Sequence, residues 1–255
     1  MLRVLNEAYD ERKQLEEKSS ALLAGGIMQH GYQCGMIWGS VLAAGAEAYE
    51  RFGAGPEAEV RAIMAAEKLV EEFQNCTGEV DCIEITEIDK SASTLKMIYV
   101  FLIKGKTFSC FKLSGKFAPI AFKIINKTFE KELTDIPKLP VSCAAELARK
   151  MGASEKHIVM AAGLAAGIGL YGGACGALGT AIWIRTMQKG ADAKLDFNDP
   201  LVIEIIEKSF LPNSDYEFEC SDIVGRKFEN IEDHTQFIRE GGCAELIEAL
   251  AEKNE

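Results

Sequence analysis

What the 255-residue sequence lacks narrows its chemistry first. No two cysteines stand as Cys-x-x-Cys, the nearest pair being Cys76 and Cys82, so the spacings of zinc ribbons, ferredoxins and thioredoxins are missing. A P-loop, a His-Glu-x-x-His motif and Ser/His/Asp spacing are absent too, which removes the standard kinase and hydrolase readings. Basic residues are outnumbered, 28 Lys and Arg against 39 Asp and Glu, and no Lys/Arg cluster relieves the net charge of −11. A sequence-independent grip on phosphate backbones therefore has no footprint, and nucleic acid is excluded as a partner. The first ten residues run directly into the charged stretch 11–18 without an apolar core, so no signal peptide is expected and the expected location is cytoplasmic.

What is present is the composition of a globular chain: 48% hydrophobic and 26% charged residues, with only six prolines. Eight cysteines, at positions 34, 76, 82, 110, 143, 175, 220 and 243, are many for a reducing compartment. There they point to redox work or metal binding rather than to permanent bridges. The competing reading for each one is a small buried hydrophobe.

Helical periodicity dominates. Residues 57–73 place Val60, Ile63, Met64, Leu69, Val70 and Phe73 on one face with Pro56 at the start, and residues 141–151, 201–210 and 234–253 read as helices in the same way. Only 96–104 fits a buried strand, and a short buried helix equally well. Residues 158–184 carry no charge over a length that could span a bilayer. Their Ala/Gly-rich composition and the break at Leu170-Tyr-Gly-Gly-Ala-Cys-Gly176 favour two short core helices, and membrane insertion is not expected.

A shift of 141 residues lays Ala24-Gly-Gly-Ile-Met-Gln-His-Gly-Tyr-Gln-Cys-Gly35 over Ala165-Ala-Gly-Ile-Gly-Leu-Tyr-Gly-Gly-Ala-Cys-Gly176, with six of twelve positions identical. Downstream, Asp81-Cys82 recurs as Glu219-Cys220, and a thiol then goes with an amphipathic helix in both halves, Cys110 before the stretch 117–129 and Cys243 within the final helix. The ordered recurrence of three cysteines marks an internal repeat. Cys143 falls opposite Leu2, so the second copy has four thiols in the series and the first has three, with Cys76 unmatched. The expected fold is all-α, two pseudo-repeated helical bundles packed into one compact unit. Residues 1–135 and 136–255 form the copies, with 134–140 as the linker.

Cys34 and Cys175 sit beside glycines where a helix should begin, a position that lowers a thiol pKa and favours attack. Cys82 and Cys220 follow carboxylates, which should raise theirs. Gly167-Ile-Gly-Leu-Tyr-Gly172 satisfies Gly-x-Gly-x-x-Gly, but no β-α-β pattern surrounds it, so its glycines read as a turn or a close helix contact. Of three histidines, His30 lies four residues before Cys34 and faces Tyr171 in the second copy. His157 and His234 read as surface or capping residues.

Cys143-Ala-Ala-Glu-Leu, Gly172-Gly-Ala-Cys-Gly-Ala177, Cys220 and Cys243 resemble, in order and spacing, the redox-active family named for its cysteine pattern, C_GCAxxG_C_C. The motif's final glycine is Thr180 here, whereas the first copy keeps it as Gly39 but has Met36 in place of the alanine. The resemblance supports a thiol-based redox protein, a thiol–disulfide oxidoreductase if an enzyme, without naming a substrate.

In this reading Cys143, Cys175, Cys220 and Cys243 form the catalytic site, Cys175 attacking first. Cys34, Cys82 and Cys110 form a secondary, partial one. Alternatively the same four thiolates of the second copy are metal ligands for zinc or an iron–sulfur cluster. A third reading is a structural or membrane-associated helical protein. The partner would accordingly be a redox protein or a transporter-associated one.

Overall fold

The apolar stripes read from the sequence close into an all-α architecture. The structure, a computed structural model, describes residues 1–87, 99, 106–133, 142–192 and 194–252. The first copy contains α1 (Leu2–Ala8), α2 (Gln14–Ser19) with a 3-10 extension (Ser20–Leu23), α3 (Gly35–Phe52), α4 (Pro56–Thr77), α5 (Cys82–Thr86) and α6 (Lys106–Phe129). The second contains α7 (Cys143–Lys150), α8 (Glu155–Ala162), α9 (Gly176–Gln188), α10 (Pro200–Glu204) running into a π turn (Ile205–Phe210), α11 (Cys220–Val224), α12 (Ile231–Arg239) and α13 (Ala244–Ala251). Among the described residues no strand belongs to a sheet, and only two isolated β-bridges occur, Gln33 with Asp81 and Ala174 with Glu219.

Local chemistry explains the helix ends. Pro56 opens α4, where its missing N–H costs nothing, and the left-handed Gly78 closes it. Ser142, Ser154 and Asn230 cap α7, α8 and α12, each accepting a backbone N–H from three residues on.

The shift of 141 residues is written into the backbone. Residues 25–29 and 166–170 each form an unbroken run of five left-handed residues. Their hydrogen bonds correspond one for one: Met28 N–H to Leu22 O and Gly169 N–H to Gly163 O, Gly31 N–H to Gly25 O and Gly172 N–H to Ala166 O. The uncharged stretch 158–184 is thus two helices separated by this turn, and no described helix is long and apolar enough to cross a membrane. The Gly-x-Gly-x-x-Gly sequence lies in the same turn, with no strand before it.

The copies interlock. α8 of the second packs on α3 and α4 of the first, while α2, its counterpart by the shift, packs on α9. The Trp38 ring lies against Gly179, where a side-chain carbon would stand 2.1 Å from it. Trp183 Nε1 donates to the Glu16 carbonyl at 3.2 Å, and Arg149 pairs with the buried Glu59.

Two expectations need adjustment. Residues 234–253 are two helices rather than one, because Gly241, Gly242 and the left-handed Cys243 break the chain between α12 and α13. Residues 201–210 are α-helical only at first and then widen into the π turn. The stretch 96–104, apart from residue 99, and the linker 134–140 lie outside the described residues.

Candidate functional site

Each left-handed run ends in an extended segment that brings two cysteines together. In the second copy Cys175 N–H donates to Phe218 O (2.8 Å) and Cys220 N–H to Gly173 O (2.7 Å). In the first, Cys34 N–H donates to Val80 O (2.8 Å) and Cys82 N–H to Tyr32 O (2.7 Å). These paired bonds, from residues far apart in sequence, fix the backbone of one thiol beside that of the other. Cys34 and Cys175 are the N-cap residues of α3 and α9, as expected, and Cys82 and Cys220 open α5 and α11.

Cys143, first residue of α7, and Cys243, just before α13, complete the second-copy set. The amide of Ala166, first of the left-handed run, donates to the Cys143 sulfur. Cys143, Cys175, Cys220 and Cys243 line one cavity of about 20 Å³, room for a single water-sized atom. Among the described residues its remaining wall is apolar, including Ile223, Phe228, Phe237 and Leu246, with one exception, His234. The cysteines are thiols without disulfides.

Burial governs their acidity. It pushes Cys175 up to about 12, helped by Cys143 and Cys243 and opposed by the Leu178 and Ala177 amides. Cys243 rises to about 12 through burial and the nearby Cys143. Cys143 and Cys220 are raised as well, by burial first. The helix-start argument for an acidic Cys175 is therefore overturned, since the amides are present but desolvation outweighs them. For Cys34 the outcome is the same: burial lifts it to about 12 against the Met36 amide, with Cys82 and Cys110 adding to the rise. Cys82 is raised by burial, with smaller contributions from Cys110 and Asp81. The rise at Cys220 comes from burial and the other three thiols rather than from Glu219.

In the first copy Leu2 opens α1 as Cys143 opens α7, so an apolar side chain replaces the fourth thiol. Cys34, Cys82 and Cys110 still lie close enough for the charge on one to raise another. Among the described residues no three His, Cys, Asp or Glu side chains are grouped to hold a metal ion.

A scan of family models settles the kinship, because the one described as "Putative redox-active protein (C_GCAxxG_C_C)" matches residues 1–124 and again 141–255. The chain belongs to the C_GCAxxG_C_C family. It carries two copies of the family unit, consistent with tandem duplication. No curated protein and no solved structure matches it.

The histidines divide in this C_GCAxxG_C_C protein. His234, expected at the surface, is only 2% exposed, lines the thiol cavity and meets Phe228 edge-on at 4.9 Å between ring centroids. The signal was present in its spacing, three and four residues before Phe237 and Ile238 on the apolar face of α12. His157 is half-buried against Glu16 (3.2 Å) and Trp183, its amide taken by the Ser154 cap. His30 stacks on Phe218 of the other copy, as does Tyr32.

Asp81 and Glu219 each take part in one of the two β-bridges, and the Glu219 charge reaches Asp81. Burial first, then Glu219, Glu84 and Glu79, raise the Asp81 carboxyl from its ordinary 3.8 to about 6. A carboxyl with a raised folded-state pKa favours folding when protonated, so this contribution is complete below about pH 4 and is lost as pH climbs to 6. Asp81→Asn should therefore flatten the pH dependence of stability across that window and stabilise the protein at pH 7 by about 1 kcal/mol, a figure reduced for solvent screening. Urea midpoints at pH 4 and pH 7 check this; equal pH slopes in variant and parent would refute it.

Proposed function

We propose that this protein is a thiol–disulfide redox protein whose working centre is the set Cys143, Cys175, Cys220 and Cys243. The observation that carries this reading is that four cysteines from four separate elements line one small apolar cavity. Four chance core cysteines would have no reason to converge there.

The order of events follows exposure. Cys143, Cys175 and Cys220 are 8%, 6% and 9% exposed, whereas Cys243 is half-buried and the one an incoming disulfide reaches. Cys175, the first attacker expected from the sequence, is better suited as an internal thiol. Cys143 adds its charge to the pKa of each of the other three, which makes it the hub of the set.

In the forward step the Cys243 thiolate attacks one sulfur of a client disulfide. The client S–S bond breaks, and the leaving thiolate takes up a proton. Cys143 then attacks the Cys243 sulfur, releasing the second client thiol and leaving a Cys143–Cys243 disulfide. Two electrons pass from protein to client, and both thiol protons end on the client. His234, the one wall residue with an imidazole, takes the proton of each attacking thiol and passes it to the departing client thiolate. Cys175 and Cys220 supply a second pair of electrons.

The same four thiols as zinc or iron–sulfur ligands receive no support from the side-chain grouping. Eight thiols suit a reducing compartment such as the cytoplasm.

Differential alkylation before and after a mild disulfide oxidant tests the reading. The expected product is a peptide linked through Cys143 and Cys243. Full alkylation of all four second-copy cysteines after oxidation would sink it.

A further inference from the structure

Two further thiols of the first copy open onto a cavity of a different kind. Cys76 lies in the last turn of α4 and Cys110 near the start of α6, and both line an open cavity of about 340 Å³. That volume is within the ordinary range for small-molecule sites, roughly 300–1,000 Å³, whereas the second-copy cavity admits one water-sized atom. The two helices are pinned together below the opening, with Phe73 edge-on to Phe117 at 5.0 Å, so the thiols are carried on fixed supports.

The lining sets the charge of what can enter. Glu79 and Glu84 are in the wall with Ser109 and Thr77, while Ile85 and Leu113 supply apolar surface, so the charged side chains among the described lining residues are both acidic. Asp81 adds to the negative field, being near enough to Glu79 and Glu84 to feel both. An anionic disulfide is repelled from such a cavity and a cationic one is drawn in.

We propose that this cavity takes a small cationic disulfide, the oxidised form of an aminothiol, and that Cys76 and Cys110 reduce it. The Cys76 thiolate attacks one sulfur of the ligand, the ligand S–S bond breaks, and one aminothiol leaves with a proton. Cys110 then attacks the Cys76 sulfur, a Cys76–Cys110 disulfide forms, and the second aminothiol leaves. Two electrons move from the protein to the ligand, and the two cysteine protons end on the released thiols. Cys34 and Cys82 lie close enough to Cys110 to feel its charge, and a later exchange with the new disulfide would pass to them.

The test uses the full chain carrying Cys143→Ala and Cys243→Ala, so that its outcome does not depend on the second-copy centre. The reduced protein is mixed with cystamine, or with glutathione disulfide as the anionic comparison, and followed by intact mass and peptide mapping. Cystamine should oxidise it about tenfold faster than glutathione disulfide at low salt. The preference should shrink at 1 M salt and in Glu79→Gln/Glu84→Gln. Cys110→Ala should trap one aminothiol on Cys76, and Cys76→Ala should abolish the linked peptide. Equal rates for the two disulfides at low salt, or an adduct on neither Cys76 nor Cys110, overturns the proposal.

Discussion

Cys143→Ala should turn the second-copy centre into a trap. With the half-buried Cys243 retained and its resolving partner gone, a disulfide client should remain attached to Cys243 as a stable mixed disulfide. Release of the second client thiol should fall by roughly a hundredfold, because a step between groups held in place is replaced by one that waits on solution thiols. Cys243→Ala should show no adduct at all, and Cys220→Ala should retain the first two-electron turnover. Mass analysis after a brief exposure distinguishes the three. Equal adduct levels in Cys143→Ala and the parent would show that Cys143 does not resolve the intermediate.

The largest loss of stability is expected at Gly176→Ala. A side-chain carbon there would stand 1.7 Å from the Leu164 carbonyl oxygen, a backbone atom that can retreat only if the left-handed turn or the first turn of α9 moves. Overpacking against fixed backbone costs about 3 kcal/mol or more. At its counterpart, Gly35→Ala, the added carbon meets the Ala24 Cα at 2.9 Å, a milder conflict worth about 1–2 kcal/mol. Thermal melting should separate the two, with a drop on the order of 10 °C for Gly176→Ala. If both variants melt like the parent, the turn is looser than its geometry states.

The regular parts of this fold were legible because a 3.6-residue period leaves a visible stripe: residues 57–73 lie inside α4, and the Ala/Gly-rich stretch 158–184 divides near the expected break. The left-handed runs were not. Gly25, Gly26, Gly167 and Gly169 suit that conformation, but Ile27, Met28, Ile168 and Leu170 adopt it too, each at a steric cost of about 1–2 kcal/mol that only the surrounding packing can impose. The break before α13 was written in Gly241-Gly242 and lost to a periodic pattern that continued across it.

At the site, the order of the cysteines could be read from the repeat. Their acidity could not, because the decisive quantity is burial, which depends on distant chain. The cavity shared by Cys76 and Cys110, and His234 inside the thiol cavity, are likewise products of tertiary packing.

The exchange of α2 and α8 between copies bears on how such a chain could have arisen. A solitary unit would leave one side of its central helix bare where the other unit's short helix now rests. Its simplest remedy is a twin, each partner lending that helix to the other across a two-fold axis. Two units on one chain keep that embrace while freeing the halves to diverge. Leucine at position 2 and cysteine at 143 are what that freedom permits, since a symmetric pair of identical subunits could not have lost the thiol on one side only.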